Sequence, residues 1–299
     1  MAKRDFQVYG LGQGCMDYIG KVAAYPAPDT KCEISDMVIQ GGGPVATALV
    51  ALARWGVGCA FAGVLGDDLF GPMIKVSLES EGVDTGGVLV RRGSESQFAF
   101  IVAEPGVGRR TICWRRPTGA PPGPEELDYR IIRKAKVLHT DGLFVEASMA
   151  ACNAAQKAGV DVVVDAGSLR EGMLDIARTS NFFLASETFA KAFVGENKPL
   201  DACFKLAELG PQLVVVTLGA KGYIALDRGR IIERSAYPVE AVDTTGCGDV
   251  FHAGFIYGLL KGWGIEKSLD FAAWAGAMVS LELGGRAGIP LAEDYGLRA

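Results

Sequence analysis

No CxxC pair, no histidine-bearing cluster and no apolar run long enough to cross a membrane occurs in these 299 residues. The first two absences exclude a structural zinc site, whose ligands come in such spacings. The seven cysteines, Cys15, Cys32, Cys59, Cys113, Cys152, Cys203 and Cys247, are odd in number and scattered, a usage that fits a reducing cytoplasm rather than a disulfide framework. The third absence excludes a membrane-spanning helix. The opening "MAKRDFQVYGLG" passes straight into a strand-like run with neither h-region nor cleavage site, so no secretory signal is expected. An excess of positive charge is missing too. The net charge is −5 with both signs interspersed, which leaves no surface for a phosphate backbone, so neither nucleic acid nor a membrane is expected as partner. Two nucleotide fingerprints are also absent. GxxxxGK[ST] occurs nowhere, which excludes a P-loop kinase; GxGxxG started from Gly10 fails at Cys15 with no acidic partner placed, which argues against a nicotinamide-dependent dehydrogenase.

What is present is a large apolar content, 49% of the residues, enough for one sizeable α/β core. Short β-rich runs ("FQVYGLG", "CAFAGVLG", "AKVLHTDG", "VDVVVDAG", "NFFLAS", "QLVVVTLGAKG") alternate with helical ones ("PVATALVALARWGV", "MIKVSLESEGV", "ASMAACNAAQKAG", "LDACFKLAELG"). That alternation predicts a parallel sheet with helices on both faces, each strand ending in small or polar residues where functional loops belong. Gly56 is the expected stop of the first of these helices. Two segments break the rhythm, at about residues 19–40 and 97–117. In the second, "QFAFIVAEPGVGRRTICWRRP" reads as a hairpin turning through Pro105 to Gly108. Together they predict a small separate sheet over the strand ends, a lid on a single domain spanning residues 1–299.

The stretch "VDTTGCGDVFHAGFIYGLL", Val242 to Leu260, concentrates the chemistry. Asp249 follows a glycine turn and opens a helix that is apolar nearly all round, so the helix is expected to be buried with its positive end open on a cleft. The bland alternative is an N-cap with turn glycines. The amides of Gly246, Cys247 and Gly248 would form an anion hole there, the glycines allowing a phosphate to come close. A carboxylate beside an anion hole suits removal of a proton from a hydroxyl that attacks a phosphoryl group better than phosphate binding alone. His252, one turn on, reads as a satisfied buried histidine rather than a second base. The Cys247 thiol is reactive only if the helix dipole lowers its pKa.

These residues carry a resemblance to the PfkB or ribokinase-like carbohydrate kinases. "DTTGCGDVFHAGF" looks like that family's second signature, "GGGPVATALVALARWG" like its first, and "VVTLGAKG" like its nucleotide-binding loop. The resemblance implies a three-layer αβα sandwich with a small β lid used for dimerisation. It also implies an ATP-dependent, Mg²⁺-requiring kinase that phosphorylates a primary hydroxyl of a small-molecule sugar. In that frame Asp249 is the catalytic base and the amides of Gly246, Cys247 and Gly248 are the anion hole. Asp243 and Thr245 begin a monovalent-cation site for K⁺, completed near Val279, Glu282, Gly284 and Gly288. The sugar side comprises Asp17, Lys31, Gly41, Gly42, Gly43, Arg115 and Asp141. On the ATP side stand Ser186, Thr217, Gly219 and Gly222, with Trp274 lining the adenine pocket.

Several of these have structural alternatives: the glycine triplet as a turn, Lys31 and Arg115 as solvated charges, Trp274 as core. The departures are informative. Gly43 and Ala46 stand where many relatives carry Asn and Lys, so sugar recognition differs. The Asn-x-x-Glu element that organises Mg²⁺ is replaced by "SETF", leaving Glu187 as a substitute. The chain also resembles a subgroup that includes sulfofructose kinase, and Arg115 with Arg116 keeps an anionic sugar open. Two further alternatives are a nucleoside kinase of the same family and a degenerate kinase that only senses a sugar or nucleotide.

Overall fold

The computed structural model describes residues 6–104, 109–195 and 198–297. In chain order the first half comprises β1 (Val8–Leu11), β2 (Cys15–Val22), β3 (Ile34–Gly42), α1 (Pro44–Arg54), β4 (Cys59–Gly66), α2 (Phe70–Glu79), β5 (Asp84–Arg91), β6 (Gln97–Glu104), β7 (Arg109–Arg115) and α3 (Tyr129–Ile132). The second half comprises β8 (Val137–Thr140), α4 (Val145–Lys157), β9 (Asp161–Ala166), α5 (Met173–Arg178), β10 (Phe182–Ser186), α6 (Glu187–Val194), α7 (Pro199–Ala207), β11 (Leu213–Thr217), β12 (Tyr223–Asp227), β13 (Arg230–Arg234), α8 (Cys247–Leu260) and α9 (Ile265–Met278).

The large sheet has the order β13-β12-β11-β10-β9-β8-β1-β4-β5. It is parallel from β11 to β5, with β12 and β13 added antiparallel at one edge. Its central strands are apolar without interruption, as in "CAFAGVLG", where every residue is buried, because both faces are covered. Alternate residues of each strand feed two cores. On one face α1, α2, α8 and α9 pack with Val8, Phe61, Val137, Val163 and Leu184. On the other, α3 to α7 pack with Tyr9, Leu11, Leu138, Val162 and Phe183. This is the expected three-layer sandwich. Gly56, at φ +80°, ends α1 as its sequence position predicts.

The two irregular segments form a separate four-stranded sheet, β3-β2-β6-β7. It is larger than the anticipated segments, since β2 starts at Cys15 and β3 runs on to Gly42. β6 and β7 pair antiparallel; the turn anticipated at residues 105–108 lies outside the described residues. The face of this sheet carrying Cys15, Ile19, Ala99, Ile101 and Ala103 packs on Leu283 and Val242, and so covers the loop that leads into α8. Chain order reverses between β1 and β8, the neighbours at the centre of the sheet. The crevice beyond their carboxyl ends is where an open α/β sheet places ligands.

Candidate active site

Helix α8 is buried from Val250 to Gly258, and close contact holds it there. A Cβ on Gly254 would come 2.6 Å from the Ala272 Cα of α9. Its amino end opens on the crevice. Gly246 is the N-cap with φ +78°, and a side chain at that position would come 2.5 Å from the Gly285 Cα; both the left-handed backbone and the close approach demand glycine. Gly248 is exposed with open space beside its Cα, so the amide turn is accessible to a ligand.

Asp249, in the first turn, is pushed well above the ordinary carboxylate pKa, first by burial and then by the Asp165 carboxylate, with Asp17 adding to the effect. The guanidiniums of Arg110 and Arg286 pull it down. The Cys247 thiol is raised to about 12 by burial, with Asp243 and Asp249 adding to the rise, so the condition for a reactive thiol is not met.

Asp17 is 7% exposed and raised above its ordinary pKa by burial, with Arg286 acting against the rise. Gly43, at φ +98°, must be glycine because a Cβ there would collide with the Gln13 carbonyl. A Cβ on Gly42 would meet the end of the Asp17 side chain and one on Gly41 the ends of Ser77 and Arg286, so the backbone itself demands glycine only at Gly43. Asp141, at the end of β8, accepts from the Gln13 amide (2.9 Å) and the Leu143 amide (3.0 Å), tying the ends of β1 and β8 together; burial raises its pKa.

The loop before α8 is braced at Asp243. Its Oδ1 accepts from the Thr245 amide (2.9 Å) and Thr245 Oγ1 (2.8 Å), and its Oδ2 from the Gly284 amide (2.9 Å). A Cβ on Gly288 would come 2.6 Å from the Val279 carbonyl oxygen. Asp243, Thr245 and Gly284 are thus brought together, Gly288 lies against Val279, and Glu282 is exposed.

On the far side of the crevice Ser186 caps α6 by accepting from the Phe189 amide (3.0 Å) and donates to the Gly167 carbonyl (2.8 Å). Thr217 Oγ1 donates to Ala185 O (3.4 Å). Gly219 and Gly222 flank the following turn with positive φ. Glu187 faces Lys191 and Lys221, each at 3.4 Å. Trp274 is 4% exposed and packed against Phe271 and Tyr295, so its position is that of a core residue. No group of three or more metal-ligating side chains occurs among the described residues.

The lid residues are redistributed. Lys31 is exposed in the connection between β2 and β3. Arg115 pairs with Phe98 in the ladder, on the face turned away from the loop that leads into α8, and its guanidinium binds Glu95 at 2.9 Å; this corrects its placement on the sugar. Arg116 lies over the Trp114 ring at 4.9 Å. The arginine that reaches the site is Arg110, whose Nη1 donates to Thr244 Oγ1 at 2.6 Å.

Two more residues escape sequence reading. Asp165 ends β9, is raised to about 7 by burial and by Asp141, and lies 3.3 Å from His252 Nδ1. His252 is buried as expected, and burial lowers its pKa to about 4, with backbone hydrogen bonds at Leu184 and Gly248 acting against the drop. Arg286 is 5% exposed beside Gly41 and Ser77. Asp165 has the same signal as Asp141, a carboxylate ending a buried parallel strand.

An open turn of backbone amides at the start of a buried helix, a partly open carboxylate beside it and a second carboxylate under a lid make a site suited to phosphoryl transfer in an α/β sandwich. The sequence matches the pfkB family carbohydrate kinase over residues 6–292, and the chain belongs to that family. It is similar to "Fructokinase-1" of Oryza sativa subsp. japonica, 28% identical, covering 97% of this chain and 96% of the relative. It is also similar to "ATP-dependent ribose-1-phosphate kinase" of Halopiger xanaduensis, 28% identical, covering 94% of each. Among solved structures, a putative ribokinase from Agrobacterium tumefaciens superposes with a TM-score of 0.88 at 24% identity, covering 97% of this chain and 96% of that one.

Proposed function

We propose that the protein is an ATP-dependent kinase that transfers the γ-phosphoryl group of ATP to a primary hydroxyl of a sugar. The observation that carries this reading is the juxtaposition of Asp249 with the open Gly246–Gly248 turn. Asp249 takes the proton from the acceptor hydroxyl as the new O–P bond forms and the bond to the bridging oxygen of the leaving ADP breaks. The amides at the start of α8 receive the charge on the phosphoryl oxygens, and Arg110, linked to that loop through Thr244, adds a positive charge from the lid. Asp17 holds the sugar against Gly42 and Gly43. Ser186, Thr217, Gly219 and Gly222 line the nucleotide side, as the family resemblance implies.

Mg²⁺, when bound, supplies charge between the phosphates. Asp165 is the residue best suited to hold it, because a buried carboxylate crowded by Asp141 gains most from a neighbouring cation; Glu187, the substitute the resemblance implies, would first have to leave Lys191 and Lys221. The name of one relative, "ATP-dependent ribose-1-phosphate kinase", keeps an anionic sugar among the substrates to be tried. Asp243, Thr245, Val279, Gly284 and Gly288 are proposed to frame a K⁺ site; activity is expected to rise with K⁺, and equal rates in potassium, sodium and choline chloride would remove it.

Homodimerisation through the lid is supported by its outward face, where Met37, Ile39 and Phe100 are 51%, 46% and 39% exposed. Ile39→Lys is expected to shift a sedimenting dimer to monomer, and an unchanged sedimentation coefficient would count against this surface. The absence of paired cysteines is compatible with a reducing cytoplasm. The kinase reading is tested by sugar-dependent ADP release from MgATP over neutral and anionic sugars; ATP binding without ADP release for every sugar would favour a sensor.

A further inference from the structure

Trp114 stands apart from the other tryptophans. Its exposure is 49%, whereas Trp55 and Trp274 are 8% and 4% exposed and Trp263 packs against Tyr257, Phe271 and Tyr295. An indole left this open is a contact surface in waiting or an uncovered edge, and the register of the lid shows which way it faces.

Residues that are partners across neighbouring strands project on the same side of a sheet. Asp17 is the partner of Ala99, and Ala99 of Trp114. The next row holds Ile19, Ile101 and Ile112, and the row beyond it Lys21, Ala103 and Arg110. This is the face whose Ile19, Ala99 and Ile101 pack on Val242 and Leu283, and from it Arg110 reaches Thr244. Trp114 therefore shares its face with Asp17 and overlooks the cleft, on the side of the lid opposite Met37, Ile39 and Phe100.

Burial changes sharply along the Asp17 row. Asp17 and Ala99 are 7% and 4% exposed, and Trp114 is 49%. Ala99 has almost no side chain, so it leaves a gap between a carboxylate and an indole. The backbones bearing them are two strand spacings apart, about 10 Å, which leaves room for one sugar ring between the side chains. The two walls suit the two sides of such a ring: a carboxylate accepts from hydroxyls, and the negative π face of an indole attracts the positively polarised C–H bonds of the opposite side. The Arg116 guanidinium, 4.9 Å from the indole ring, restrains one face of the platform, and among the described residues no aromatic ring packs on the other.

We propose that Trp114 is the stacking platform of the acceptor site, covering the C–H face of a ring-form sugar whose hydroxyls Asp17 holds. The acceptor class is thereby narrowed to cyclic sugars, furanose or pyranose, over open-chain polyols. The inference rests on the kinase reading for the identity of the cleft, but it is tested on binding as well as on turnover.

The experiment compares wild type, Trp114→Phe and Trp114→Ala with D-ribose and D-fructose against their open-chain relatives ribitol and D-mannitol, recording kcat, KM and the change in indole emission on sugar addition. Because Trp114 is exposed, both variants are expected to fold with unchanged thermal midpoints. The expected result is a KM for the ring sugar raised about tenfold in Trp114→Ala and less in Trp114→Phe, with kcat little changed. The polyols bind more weakly than the ring sugars in wild type and respond little to either substitution. The emission change is lost in Trp114→Phe. A ring-sugar KM unaltered in both variants, with turnover still abolished by Asp249→Asn, overturns the platform and leaves the kinase reading intact. Altered sedimentation with unaltered KM also overturns it, assigning the indole to a contact between copies. Sugar binding that quenches Trp114 emission without any turnover upholds the platform and sinks the kinase reading.

Discussion

In the proposed mechanism Asp249 acts as a base where burial and the Asp165 carboxylate both favour its neutral form. A carboxylic acid with a raised pKa is protonated, and useless as a base, at every pH below that value. Turnover is therefore predicted to fall on acidification well above the ordinary Asp value of 3.8; a pH–rate profile flat down to about pH 4.5 would contradict the assignment. Asp165 makes a separate prediction about stability. Its pKa is about 7 in the fold against an ordinary 3.8, so the folded state holds the proton more tightly than the unfolded chain does. Stability contributed by that proton is present at low pH and is lost as pH rises through about 7. Asp165→Asn is predicted to stabilise the ligand-free protein by about 4 kcal/mol at pH 8, with the gain vanishing near pH 4. The same substitution is expected to weaken MgATP-dependent turnover, and denaturant titrations at the two pH values check the sign.

At the scale of elements, the lid decides what reaches the catalytic loop, and a single step of register decides which arginine does so. Arg110 and Arg115 both belong to β7, but their positions differ by an odd number of residues, so they project from opposite faces. Arg110→Ala is predicted to lower kcat about tenfold or more, with partial recovery in Arg110→Lys, whereas Arg115→Ala stays within about twofold. Equal losses at the two positions would show that the lid does not present the face described.

This is also where the sequence ceased to be legible. The hairpin itself was readable from its alternation, as were the apolar strands and the wholly buried α8, because their periods report burial directly. Which side of β7 faces the site was not, because that depends on pairing Ala99 with Trp114 rather than with Arg115, a relation between segments that neither segment encodes alone. Asp249 and the amide turn stood out because they are consecutive. Asp165 and Arg286 did not, because they enter the site from strands and loops distant in the chain. Trp274 is apolar helix surface in sequence and core in the fold, and nothing local distinguishes a ring that lines a pocket from one that fills the interior.

The whole molecule places its chemistry where its topology leaves a gap. The reversal between β1 and β8 opens the crevice, Asp141 bridges the two strand ends through the Gln13 amide, α8 directs its amide turn into the opening, and the small sheet covers it. The reading of the whole as a sugar kinase stands or falls on Asp249. The most direct measurement is therefore of Asp249→Asn, with ATP affinity by calorimetry set beside sugar-dependent ADP release, using the best acceptor of the wild-type protein. An unchanged ATP Kd with kcat reduced by about a hundredfold or more is the predicted result, since the amide turn survives and only the base is lost. A variant that turns over at the wild-type rate would contradict the account at its centre.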